Sequence, residues 1–272
     1  MVGGVYTRVV AIVLGVVVLA TAGCGGDDRA KSVDEYVGEV NLVQRDLATH
    51  VGQFNLAYRS FAGGRELERL VPDLAAVEKA LAATHARLER LRPPEDASRL
   101  HPLLLRLVEA QQGLAHEVTA FARYQPALRS VFAPLAASEQ RLRSGIAHAP
   151  DADTQAREFA EFRRAVTGAE RELDGLVPPL VLRAAHEAQR KRLATLADVT
   201  QQLAARLRAA NRLELEPLLR RYGRLIAQMD TAAQRRERTA AVRAYNARVL
   251  RIDAIAGDVR RELARLRQSL SR

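Results

Sequence analysis

The chain has 272 residues and a formal net charge of +10, with 48% hydrophobic residues but only 4% aromatic residues and no tryptophan. This length is enough for one large domain or two small ones with a buried core. The scarcity of aromatic rings argues against a sugar-stacking platform. The basic residues are almost all arginine, a bias typical of a GC-rich genome, so the charge alone does not indicate a nucleic-acid-binding protein.

The first 26 residues have the layout of an export signal. Arg8 gives a positive flank, and residues 9–23 carry no charge. This is the pattern of a secretory signal, followed by small residues suited to cleavage. The 18 uncharged residues from Val9 to Gly26 lie at the lower limit for crossing a bilayer core of about 30 Å. We therefore expect residues 1–23 to be cleaved rather than retained as a transmembrane anchor.

Cys24 is the only cysteine and directly follows this run, in the string Leu19-Ala20-Thr21-Ala22-Gly23-Cys24-Gly25-Gly26. The string resembles the lipobox of bacterial lipoprotein signal peptides. The resemblance implies that Cys24 becomes the lipidated first residue of the mature protein, carrying acyl chains such as palmitate at the extracytoplasmic face of the cell membrane. Residues 24–32 are then the lipidated cysteine and a polar tether, and residues 33–272 form the folded body.

Apolar residues recur at three- and four-residue spacing along nearly the whole body, the period of amphipathic helices. The first predicted helix carries them at Val33, Tyr36, Val37, Val40, Val43, Leu47, Val51, Phe54, Tyr58 and Phe61. No stretch shows the alternation or the hairpin turns that a sheet needs. The sequence predicts an all-α fold, an antiparallel bundle of long helices. It resembles all-helical lipoproteins of high-GC bacteria that bring no known activity.

Two parts of the body match each other. Leu91-Arg92-Pro93-Pro94 followed by His101 has the same spacing as Leu176-Val177-Pro178-Pro179 followed by His186. Proline lacks an N–H donor and disfavours helix in the preceding residue, so each pair predicts a corner between helices. Downstream, Pro134-Leu135 and Arg141-Leu142 echo Pro217-Leu218 and Arg224-Leu225. We interpret this as an internal duplication, with repeats at 77–142 and 162–225. The alternative is that Ala-, Leu- and Arg-rich helices resemble one another by composition alone.

A heptad pattern predicts a coiled-coil-like helix over residues 239–270. Either its apolar side chains pack within the same bundle, or they bind a partner protein or a second copy. The partner-binding candidates are Val242, Tyr245, Val249, Ile252, Val259, Leu263 and Leu266. The stretch from Arg235 to Arg272 contains eleven arginines and only four acidic residues. This indicates either a solvated basic face or a patch for anionic lipid or wall polymer.

Chemistry-bearing motifs are scarce. None of the six histidines has the His-x-x-Glu spacing of imelysin-like metal sites or the Glu-x-x-His spacing of ferritin-like ones. His101 and His186 are weak metal-ligand candidates because duplication would give them equivalent positions; the alternative is a packing or hydrogen-bonding role at the start of a helix. Nucleophile-elbow, Ser-x-x-Lys, Walker and dinucleotide-binding motifs do not occur. The sequence therefore predicts no enzyme and no cofactor.

Three functions remain open. The first is a non-catalytic interaction or structural module at the cell envelope. The second is a bundle that binds a small ligand or a metal, and the third is an accessory or sensory subunit of a membrane complex. The expected partners are the membrane, through the lipid on Cys24, and an envelope protein, anionic lipid or wall polymer. Nucleic acid is not expected for an exported protein.

Overall fold

The computed structural model describes residues 31–43, 45, 48–49, 67–210, 212–228 and 231–270. Within these ranges the chain forms helices and short connections, without a strand. The all-α prediction is therefore confirmed. Cys24, the predicted signal at 1–23 and most of the predicted tether lie outside the described residues.

Seven α-helices follow one another in this part of the chain. They are α1 at 31–43, α2 at Val71–Arg90, α3 at Leu100–His148, α4 at Ala152–Asp174, α5 at Arg183–Arg208, α6 at Arg212–Gln228 and α7 at Thr231–Leu270. Short 3₁₀ turns occupy Leu67–Leu70, Glu95–Ala97 and Leu180–Leu182. Helix α1 already includes Lys31 and Ser32, which the sequence had assigned to the tether.

The helices form two compact units. Unit 1 comprises the chain up to Ala122 together with Arg243–Arg272, and unit 2 comprises Arg123–Val242. Helices α3 and α7 each contribute one part to either unit. This division differs from the predicted repeats at 77–142 and 162–225. Pro134 on α3 and Pro217 on α6 match each other in the predicted repeat, but both belong to unit 2. The downstream part of the repeat therefore does not match a segment of unit 1 to a segment of unit 2.

In unit 1, α3 and α7 run antiparallel. The Tyr245 hydroxyl on α7 donates to the Glu117 carbonyl at 3.2 Å, and its ring meets Phe121 edge-on at 5.9 Å between centroids. Seventeen residues further along α7, Glu262 interacts electrostatically with Arg99, just before α3 begins. The start of α3 therefore lies beside the end of α7.

Unit 2 contains α3 from Arg123 onward, α4, α5 and α6. Its core is built from the facing apolar sides of α4 and α5, with buried Phe159, Phe162, Val166, Leu173, Leu193, Leu196, Val199 and Leu203. An ion pair of 3.2 Å joins Arg190 to Asp174 across these two helices. Another of 2.7 Å joins Arg206 to Glu214, between α5 and α6.

The C-terminal helix is longer than predicted and unbroken from Thr231 to Leu270. Six of the seven partner-binding candidates are buried within the chain, namely Tyr245, Val249, Ile252, Val259, Leu263 and Leu266. Their burial favours the alternative that the heptad face packs within the same chain, and partner binding by these residues stays a prediction. The side chain of Val242 lies outside the described residues.

Candidate functional site

The two double-proline corners have the same backbone geometry. Two hydrogen bonds recur at an offset of 85 residues. These are Leu91 N–H to the Leu88 carbonyl and Leu176 N–H to the Leu173 carbonyl, each 3.0 Å, and Ala97 N–H to the Pro94 carbonyl and Leu182 N–H to the Pro179 carbonyl, each 2.9 Å. The 3₁₀ turns Glu95–Ala97 and Leu180–Leu182 follow at the same offset. His101 and His186 therefore occupy matching positions, one in each unit. The duplication stays a prediction, which these matches support.

In unit 1, Tyr36 on α1 and His101 on α3 form a hydrogen bond, with 2.9 Å between Oη and Nδ1. Their ring centroids are 6.1 Å apart and the ring planes meet at 56°. Tyr36 is buried, with 4% of its surface exposed, and His101 is half-buried. Burial raises the pKa of Tyr36 to about 12 and lowers the pKa of His101. At neutral pH the phenol is thus protonated and the imidazole uncharged.

Unit 2 contains the same arrangement. The Oη atom of Tyr124 on α3 lies 3.0 Å from Nδ1 of His186 on α5, with 5.9 Å between ring centroids and 57° between planes. Both side chains are buried. Burial lowers the pKa of His186, and the positive charge of Arg190 lowers it further, against the opposite effects of Glu187 and Asp174. This imidazole is also uncharged at neutral pH.

The protonation states define what the two tyrosine–histidine pairs can do. The direction of each hydrogen bond follows the imidazole tautomer: with the ring hydrogen on Nε2, the phenol O–H donates to the lone pair of Nδ1. In that tautomer Nε2 has no free lone pair for a metal. The Tyr36 phenol, with its pKa raised to about 12, is neither a nucleophile nor a base at neutral pH. The pairs therefore connect α1 to α3 in unit 1 and α3 to α5 in unit 2.

The side chains at the corners differ although the backbones match. Arg92 and Glu95 are exposed at the first corner. The corresponding residues at the second corner are Val177, 85% exposed, and Leu180, 51% exposed. The carboxylates of the first corner are thus absent from the second. A metal site of the same kind at each corner would therefore lack oxygen ligands at the second one.

Other predicted features have a mixed outcome. His85 and Glu89, an i,i+4 pair on α2, lie 3.6 Å apart at the surface, whereas the similar pair Asp46 and His50 lies outside the described residues. Among the residues that the structure does describe, histidine, cysteine, aspartate and glutamate nowhere cluster in threes that could hold a metal ion. No helix in the described ranges is both long and apolar enough to span a membrane.

Comparison with known proteins gives no match to a family model, a curated protein or a solved structure. The role of the two tyrosine–histidine pairs is therefore inferred from their own contacts and burial. The sequence singles out the two histidines but not their tyrosine partners, Tyr36 and Tyr124. A usable signal was present, because Tyr36, Val40 and Val43 match Tyr124, Leu128 and Val131 at an offset of 88 residues, and all six are buried.

Proposed function

We propose that this chain is a lipid-anchored extracytoplasmic protein that serves as a non-catalytic interaction or structural module of the cell envelope. The observation that carries the proposal is Cys24, which directly follows an uncharged run and stands seven residues before Lys31. Lys31 is already helical. A lipid on Cys24 would therefore hold the folded body close to the membrane surface.

The interior of both units supports a non-catalytic role. The candidate polar site consists of two hydrogen-bonded pairs, Tyr36–His101 and Tyr124–His186, each of which joins helices within its unit. Their shifted pKa values favour the uncharged forms of all three groups for which a shift is resolved. Uncharged, mutually bonded side chains suit a rigid scaffold better than proton transfer.

A metal-binding function is the second candidate, because hydrogen bonding at one ring nitrogen also orients histidines that bind metals through the other. Here it requires the opposite tautomer, in which Nδ1–H donates to the phenol oxygen and Nε2 is free. Calorimetric titration with Zn²⁺ tests it. Tight binding that is lost in His101→Gln or His186→Gln would favour this second function over the first.

The lipid anchor is tested by replacing Cys24 with alanine. The native protein is expected to fractionate with membranes and to carry a diacylglycerol-modified N-terminal cysteine by mass spectrometry. The Cys24→Ala protein is expected in the soluble extracytoplasmic fraction after salt washing. Retention of this variant in the membrane through an uncleaved N-terminus would refute the proposal.

The interaction role is tested by crosslinking in intact envelopes. The wild-type protein is expected to yield defined crosslinked species with envelope components, and Cys24→Ala to lose those that depend on membrane proximity. A comparison with a deletion of residues 234–272 is unsuitable, since α7 supplies buried side chains to unit 1. A protein that crosslinks to nothing at the membrane surface would contradict the module hypothesis.

A further inference from the structure

One end of unit 1 collects three segments that are far apart in sequence. Tyr36 lies in the second turn of α1 and bonds to His101, the second residue of α3. The starts of α1 and α3 are therefore neighbours. The first double-proline corner, residues 91–99, lies directly before α3. We call this end, with residues 31–35 and 91–100, the corner end of unit 1.

The end of α7 also belongs to the corner end. Arg265 donates to Glu262 at 3.0 Å. This hydrogen bond lowers the pKa of Glu262, with a smaller contribution of the same sign from Arg99. Arg265 in turn interacts with Asp96 of the corner. These charges place the last turns of α7 against residues 91–99.

The opposite end of unit 1 is too far from the anchor to be the membrane-facing one. From Leu100 to Ala122, α3 rises about 33 Å. The seven residue steps from Cys24 to Lys31 span at most about 25 Å, even when fully extended. This reach is shorter than the rise of about 33 Å along this part of α3. A lipid on Cys24 can therefore lie beyond the corner end, but the tether is too short to place it beyond the far end.

Helix α1 cannot readily lengthen this tether by unwinding. Its inward face is buried from the third described residue onward, with Val33, Tyr36, Val37, Val40 and Val43 all at most 5% exposed. Releasing the first two turns would expose three of these side chains and break the hydrogen bond to His101. Burial of each such apolar side chain contributes favourably to folding, so the tether stays short.

On these grounds, and resting on the proposed lipidation of Cys24, we propose that the corner end of unit 1 docks on the phospholipid surface of the bilayer. Lys31, Arg92 and Arg99 are exposed there, together with the carboxylates of Asp34, Glu35 and Glu95. The surface is therefore mixed in charge, and the short tether sets the orientation. The two arginines can still donate bidentate hydrogen bonds to phosphate headgroups. The far end, with Tyr245 and the start of α2, then points away from the membrane.

Fluorescence quenching on vesicles tests the orientation. Because Cys24 is the only cysteine and would be consumed by the lipid, one introduced thiol can be labelled uniquely. Ser98→Cys places a fluorophore at the corner end. Ala76→Cys is the matched control on an exposed position of α2, about 21 Å from Arg90 along the helix. Both lipidated full-length proteins are reconstituted into phosphatidylcholine–phosphatidylglycerol vesicles that contain a nitroxide-headgroup lipid.

The fluorophore at position 98 is expected to be quenched several-fold more than the one at position 76. Equal quenching, or stronger quenching at 76, in protein that floats with the vesicles overturns the orientation and leaves the lipid anchor standing. Protein that does not float, and whose wild-type Cys24 reacts with the label, overturns the anchor and the orientation together.

A second experiment tests the arginines. Substituting Arg92→Gln and Arg99→Gln is expected to reduce quenching at position 98 without abolishing flotation. Unchanged quenching would show that the arginines do not belong to the docking surface.

Discussion

Tyr36 and His101 stand 65 residues apart and share a hydrogen bond of 2.9 Å between two helices that start at the same end of unit 1. The pair Tyr124 and His186 reproduces this geometry in unit 2 with 3.0 Å. The same substitution can therefore be made in both pairs, and its effects on stability can be compared between the two units.

The first prediction concerns these bonds. Tyr36→Phe and Tyr124→Phe keep the ring but remove the O–H, so each is expected to lower the free energy of unfolding by about 1 kcal/mol. Urea unfolding of the Cys24→Ala protein measures the loss. In a double-mutant cycle with His101→Leu, Tyr36 should show a coupling energy of similar size. A coupling energy near zero would mean that the hydrogen bond contributes nothing to stability.

The second prediction concerns pH. Burial holds the pKa of His101 and His186 below the ordinary value, so the unfolded chain binds protons more readily than the folded one. Their contribution to stability is complete above the unfolded pKa of about 6.5 and is lost as the pH falls below it. Thermal unfolding between about pH 5 and pH 8 measures this slope.

The controls for the pH dependence are His101→Leu and His186→Leu. Each removes one titrating imidazole while other groups titrate as before, so the slope of stability against pH should become shallower below about pH 6.5. An identical slope in the wild type and in both variants would show that other residues produce the pH dependence.

The third prediction concerns the corners. Leu88 and Leu173 end the buried faces of α2 and α4 at matching positions, and both are almost completely buried. Replacing either with alanine leaves a cavity and is expected to cost about 2–5 kcal/mol of unfolding free energy. Val177→Ala, at an exposed position, should change it by less than about 0.5 kcal/mol. A small effect at only one leucine would argue against equivalent packing at the two corners.

The fourth prediction concerns α7. Ile252 is buried in unit 1 while Leu250, two residues earlier, is 69% exposed. Ile252→Ala is expected to lower stability by about 2–5 kcal/mol, without altering the oligomeric state. Leu250→Ala should affect stability little. Analytical ultracentrifugation alongside denaturation separates the two interpretations of the heptad pattern: a change of oligomeric state in Ile252→Ala would favour partner binding by this face.

Local signals predicted much of the fold. The three- and four-residue spacing of apolar side chains gave the helices, and the proline pairs gave the corners at residues 91–94 and 176–179, because proline restricts its own backbone and that of its neighbour. Helix pairing was harder to predict. Nothing local marks Ala122 as the last residue of unit 1, since α3 continues through it without a break.

The candidate site shows the same limit. The histidines were found because each follows its corner at a fixed distance within one continuous segment. Their tyrosine partners lie on a different helix from the histidine in each unit, and the offset is 88 residues for the tyrosines but 85 for the histidines. This difference of three residues conceals a correspondence that becomes evident once the helices are packed.

The discontinuity of unit 1 has a consequence for the order of folding. Unit 2 is one uninterrupted segment, Arg123–Val242, whereas unit 1 needs residues on both sides of it. The bond from Tyr245 to Glu117 closes a separation of 128 residues, and long-range closure of this kind slows folding. During synthesis from the N-terminus, unit 2 can fold while the first three helices of unit 1 still lack their C-terminal partner. Premature termination near residue 242 would thus leave the later half of the protein intact and the earlier half incomplete.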